Sequence, residues 1–179
     1  LKEKSSQLNA QVLWLEAIAV EKRTYERAYD LGFLMPRTLD SLKFMINLRE
    51  ANIEEGKIPP RYYSFQSLKA QGEDSLASII GRFSPQSKWL RQEQEAQMQS
   101  EYEFNLILAE VSEQIIEKIE KGIKAEIFSV KLGQDCLNYY QFVREKALAK
   151  QQTLASQQPT LDRALQEKIA KQSGLVKAQ

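Results

Sequence analysis

Histidine is missing from all 179 residues, and cysteine occurs once, at Cys136. Without histidine the usual general base, the histidine-activated nucleophile and the tetrahedral zinc set have no donor. The single thiol closes no internal disulfide, which fits a reducing compartment. Cys136 lies beside Leu137 in a helical pattern and reads as a small buried hydrophobe, since no neighbouring histidine is available to lower its pKa. Seven glycines and five prolines are too few for a turn-rich all-β fold. Charge of one sign is also lacking: 25 Lys and Arg stand against 24 Asp and Glu, a net charge of +1. That balance disfavours a nucleic-acid-binding domain, whose affinity rests on a basic excess. The most apolar windows, 12–20 and 104–111, fall well short of the ~20 residues that span a bilayer. Residues 1–11 are polar and carry no secretory pattern. The chain begins at Leu1 rather than Met, as a segment of a longer protein would.

What is present is helical periodicity on a water-facing background, with a mean hydropathy of −0.48. The first helix is expected over 6–31, its apolar stripe formed by Leu8, Val12, Leu15, Ile18, Ala19, Tyr25 and Ala28. Gly32 follows as a C-terminal cap. Pro36 opens a second helix, with Leu39, Leu42, Met45, Ile46 and Ile53 on one side, which ends at Gly56 before Pro59-Pro60. The short connection between them predicts an antiparallel helical hairpin. Residues 57–73 are the least regular stretch. Their aromatics Tyr62, Tyr63 and Phe65 either pin a crossing loop to the core or anchor a partner. A short helix is expected over 74–82, and Ser84-Pro85 starts a long one that runs to a stop at Gly122. Its middle, 91–101, is poor in apolar residues, which reads as a solvated face or as a break near Ser100. A further helix is expected over 125–155, with a kink or break at Gly133, and Pro159 precedes a last amphipathic helix. No segment alternates as a strand would. The fold class expected is all-α, an irregular bundle of about five to seven helices built from hairpins. It divides into an N-terminal hairpin over 1–56, a connecting segment over 57–83 and a C-terminal bundle portion over 84–179 within one continuous domain.

The carboxylates are many, but the Glu-x-x-His pattern of a bundle metal site has no histidine to complete it, and no EF-hand loop occurs. Phosphate-binding GxxxxGK[ST] and GxGxxG signatures and the GxSxG elbow are absent too. No cofactor, metal site or enzymatic activity is therefore expected. Glu113-Glu117 against Lys118-Lys121 reads as ordinary pairing along one helix. The basic cluster Lys22-Arg23 with Arg27 reads as the polar side of the first helix, or as a surface facing anionic lipid headgroups. Candidate contact residues for a partner or a membrane surface are thus Lys22, Arg23, Arg27, Tyr62, Tyr63, Phe65 and Trp89.

One stretch goes further. In residues 15–58, Leu15-Glu16-Ala17-Ile18 precedes Glu21-Lys22-Arg23 and Tyr25, then the stop Gly32-Phe33-Leu34 and a Leu-rich helix. The arrangement resembles the cytosolic segment after the membrane domain of bacterial-type sodium/proton antiporters, in the monovalent cation:proton antiporter family related to sodium–hydrogen exchangers. Residues 102–170 look more loosely like its continuation. Met35-Pro36 stands where that family commonly has a serine cap, and 59–85 has no counterpart. The resemblance implies a non-catalytic cytoplasmic domain that regulates or assembles the transporter. Its partner would be the membrane domain of the same polypeptide or a second copy of itself. Transport residues belong to the membrane domain, so none carries over. The alternative, from the residues alone, is a free-standing helical interaction module such as an adaptor, scaffold or effector.

Overall fold

The computed structural model describes residues 2–72, 88–157, 159–160, 162–164 and 166–167. Among these it is all-α: α1 spans Lys2–Asp30, α2 Pro36–Glu54, α3 Phe65–Gly72, α4 Lys88–Lys124 and α5 Val130–Gln157. No described helix is long and apolar enough to cross a membrane. The helix expected over 74–82 and the Ser84-Pro85 start lie outside the described residues.

The first two helix ends form as the glycines require. Gly32 (φ 76°) and Gly56 (φ 77°) take the left-handed conformation. Phe33 N–H then bonds the Ala28 carbonyl and Lys57 N–H bonds that of Asn52, each closing a Schellman turn. The third end corrects the sequence reading. Gly122 lies inside α4, and Glu126, at φ 55°, takes the left-handed position, with Ile127 N–H bonding the Gly122 carbonyl. Gly122 is required for a different reason. A Cβ there would stand 2.5 Å from the Phe128 ring, and one on Gly133 would meet Ile123 at 2.6 Å and Phe128 at 2.8 Å. The two glycines let the Phe128 ring sit between α4 and α5. Gly133 does not break a helix: α5 starts at Val130, capped by the Ser129 hydroxyl, which accepts from Leu132 N–H.

Helix α4 is continuous for 37 residues, with no break near Ser100. The solvated-face reading holds only for part of the 91–101 stretch. Ser100, Glu101, Glu103 and Asn105 are buried and are mostly satisfied by neighbours. Glu103 Oε2 accepts from Met35 N–H and from the Thr38 hydroxyl, each at 2.8 Å. It supplies from α4 the carboxylate that a capping box would place at the third residue of α2, whose own N-cap Met35 gives no side-chain bond. Glu101 accepts from Gln66 Nε2 and pairs with Lys150.

Helices α1 and α2 are antiparallel, since Gln11 reaches the Ile53 carbonyl while Glu26 pairs with Lys43. The α4–α5 hairpin is likewise antiparallel and the most extensively packed pair, stitched by Glu113–Arg144 and Glu101–Lys150. Helix α4 runs against α1 and so along α2. The chain must therefore return the length of the bundle between them, and residues 57–72 begin that return. They are held by Asn52 Oδ1, which accepts from Arg61 N–H, and by Phe65 set edge-on against Phe104. One core joins residues from all these elements, from Leu13 to Ala147. A satellite core of Tyr102 and Leu154 carries the C-terminal segment, where the Tyr102 hydroxyl donates to Asp162 and accepts from Gln151 and Gln166.

The α1 stripe differs from the expected one. Val12 and Leu15 are exposed at 50% and 39%, and Ala19 is exposed. The face turned inward carries Leu13, Trp14, Ala17, Ile18, Glu21, Tyr25 and Ala28. A glutamate at its centre breaks the apolar pattern that marks a buried stripe, and the outer face supplied a decoy.

Candidate docking groove and buried polar centre

Buried polar side chains converge where α1, α2 and α5 meet. Glu21 and Arg49 are both fully buried. Arg49 Nη1 donates to both Glu21 oxygens at 2.9 Å. The Tyr140 hydroxyl donates to Oε1 and that of Tyr25 to Oε2, each at 2.7 Å. Four hydrogen bonds thus converge on one carboxylate. The Arg49 guanidinium also lies 5.6 Å from the Tyr139 ring centroid, and Trp14 packs against Tyr139 and Tyr140. Among the described residues, Arg49 Nε and Nη2, Trp14 Nε1 and the Tyr139 hydroxyl find no hydrogen-bond partner.

Burial, reinforced by Glu21, holds the Tyr25 and Tyr140 phenols well above their ordinary pKa. Burial also raises Tyr139, against the pull of Arg49. For Arg49, burial opposes the charge, but Glu21 and then the tyrosines outweigh it and hold the guanidinium above its usual value. Burial and then Glu21 push the Cys136 thiol up, so it stays protonated and inert. Perturbed groups in a cleft mark active sites. Here Glu21 and Arg49 are shut away from solvent, and the carboxylate is engaged by its own neighbours. The cluster reads as a polar bolt between helices. Among the described residues no group of three or more Asp, Glu, Cys or His side chains converges as a metal would need.

An open site lies on the flank of the same helix. Between α1, the C-terminal half of α4 and the turn before α5 runs a trough of about 680 Å³. Leu13, Ala17, Val20, Ile119 and Phe128 give it an apolar lining, and Arg23, Lys118 and Lys121 set three cations on it against one acid, Glu16. Lys121 is 3.9 Å from Glu117 across exposed surface, a pair worth little, and among the described residues neither Arg23 nor Lys118 forms an ion pair. Ile127 lines one end at 75% exposure, and Val130 near it is 65% exposed. The Phe128 ring at that end is fixed by Gly122 and Gly133.

The residues singled out in the sequence scatter. Lys22 pairs with Glu50, and Arg27 is exposed on the last turn of α1. Arg23 alone among them lines the trough. Tyr63 and Phe65 are core residues at 6% and 2% exposure, so they are not exposed anchors. Tyr62 is half-buried, edge-on to Phe142. The side chain of Trp89 lies outside the described residues. The sequence reading missed Lys118, Lys121, Ile119 and Phe128. Their signal is the lysine spacing near the end of α4, which reads equally as pairing within the helix.

Comparison with protein-family models, with curated proteins and with solved structures finds no match to this chain.

Proposed function

We propose that the chain is a non-catalytic helical interaction module that docks a partner in the α1–α4 trough. The observation that carries this is the pairing of an open apolar lining with three cations, of which Arg23 and Lys118 form no ion pair among the described residues. The strongest alternative chemistry, the Glu21–Arg49 centre, is sealed. Concave apolar sites with a few placed polar groups are where proteins bind ligands and partner segments.

The antiporter reading keeps the support that residues 15–58 gave it, and Gly32 and Gly56 end helices as that resemblance implies. The same residues have local work that needs no transporter: Glu21 and Tyr25 build the core, and Schellman caps are general helix endings. In that reading the docked partner is the transporter's membrane domain, and the module acts on the cytosolic side.

The test is a photo-crosslinking residue placed at Lys118 in the native host, with one at Lys146, outside the trough, as control. A discrete adduct at 118, absent at 146 and lost when Ala17→Trp fills the trough, is the expected result. Equal labelling at both positions would sink the proposal. A membrane-embedded transporter in the adduct would favour the antiporter reading.

A further inference from the structure

Resting on that docking reading, we infer that the occupant is an amphipathic helix with acidic flanks. Shape points to a helix. The trough runs between two antiparallel helices and is walled at one end by the fixed Phe128 ring. A third helix laid in such a channel presents apolar side chains at i, i+3, i+4 and i+7 to its floor. Leu13, Ala17 and Val20 on α1 and Ile115, Ile119 and Gly122 on α4 offer apolar steps of matching period.

Charge points to acidic flanks. Arg23 lines the channel from α1 and Lys118 and Lys121 line it from α4, so both helices contribute cations to it. Glutamates or aspartates flanking the apolar stripe would meet these three cations. The same charges argue against a lipid surface. A plane laid across this region would also meet Glu117, Glu120 and Glu126, all exposed, whereas a helix seated in the trough meets Glu16 as its one acidic lining residue. Rim charges of this kind act on partner choice and encounter rate more than on total affinity.

The experiment uses the whole chain and a fluorescent amidated peptide of about 18 residues, helical, with Leu at the anchor spacing and Glu on both flanks. A second peptide carries Lys in place of Glu, and vesicles of phosphatidylcholine with phosphatidylserine form a third arm. The acidic peptide is expected to bind, and to bind less as salt rises. Lys118→Glu with Lys121→Glu, both on exposed surface, should weaken it roughly tenfold, while Lys146→Glu leaves it unchanged. Ala17→Trp should abolish binding. If that variant fails to fold, the surface double reversal still decides. Equal binding of the Lys peptide, no binding of the acidic one, or binding to vesicles alone would overturn the inference. Crosslinks at position 118 that persist while the acidic peptide fails would overturn this inference and leave the docking reading standing.

Discussion

Glu21 and Arg49 are the residues on which the interior turns. Removing two ions from water costs several kcal/mol each, and the pair offsets this only because Tyr25 and Tyr140 complete the shell of the carboxylate. Arg49→Met alone should destabilise the fold by about 3–5 kcal/mol in urea unfolding, because it strands a buried carboxylate. Adding Glu21→Leu should return part of that loss, with a coupling of about 2 kcal/mol in the double-mutant cycle. Additive losses would show that the two side chains stabilise independently. The phenols make a second prediction. Tyr25, Tyr139 and Tyr140 are all raised, by burial first. An unfolded tyrosine ionises near pH ~10, while these hold their protons beyond it. Their contribution is therefore complete below pH ~10 and declines above it, by up to about 1.4 kcal/mol per pH unit for each phenol ionised only in the unfolded chain. Urea midpoints should fall from pH 9 to pH 11, and phenolate absorbance should lag that of the unfolded chain. A midpoint that does not move would show the phenols open to solvent. None of this was legible in the sequence. Glu21 sits in a run of charges and reads as surface, and only the fold sets it opposite an arginine 28 positions away.

At the level of the helix, the endings separate what local chemistry determines from what tertiary contact supplies. Gly32, Pro36 and Gly56 mark their boundaries because φ and a missing N–H are local properties. Two boundary features depended on distant groups and were not legible. Gly122 looked like a stop, but it is small to admit Phe128. The uncapped start of α2 is completed by Glu103, 68 residues from Met35. The true stop near Glu126 puts a side chain in the left-handed region, which costs an L-residue about 1–2 kcal/mol. Glu126→Gly should relieve that cost, offset by the greater freedom of an unfolded glycine, for a net gain of about 0.5–1 kcal/mol. Thermal unfolding checks the sign, and a lower melting temperature would show that the Glu126 side chain contributes a contact worth more than the strain. Glu103→Ala should go the other way, by about 1–3 kcal/mol, since it leaves the buried Thr38 hydroxyl and the half-buried Met35 N–H without their acceptor.

Across the whole molecule, two antiparallel hairpins of different robustness share one core. The α4–α5 pair packs along its own length, whereas α1 meets α5 mainly through long side chains: Trp14 on Tyr139 and Tyr140, and Glu21 on the Tyr140 hydroxyl. The all-α class and the hairpins were legible, because periodicity and short connections are sequence properties. The trough was not, because its cations come from helices distant in sequence and each of them looks like ordinary solvated charge. Whether the hairpins behave as one cooperative body follows from how strongly those aromatic bridges couple them. Trp89→Phe leaves Trp14 as the sole indole, a reporter on α1. In that background Tyr140→Phe removes one hydrogen bond to a buried carboxylate, with an expected cost of about 1–3 kcal/mol. If the core unfolds as one unit, the Trp14 fluorescence and helical circular-dichroism midpoints coincide and move together. If the α1–α2 hairpin detaches first, the Trp14 midpoint alone falls and most of the helical signal stays where it was. In that case the trough, whose walls come from both hairpins, would open before the α4–α5 pair unfolds, and docking would be lost at the lower of the two transitions.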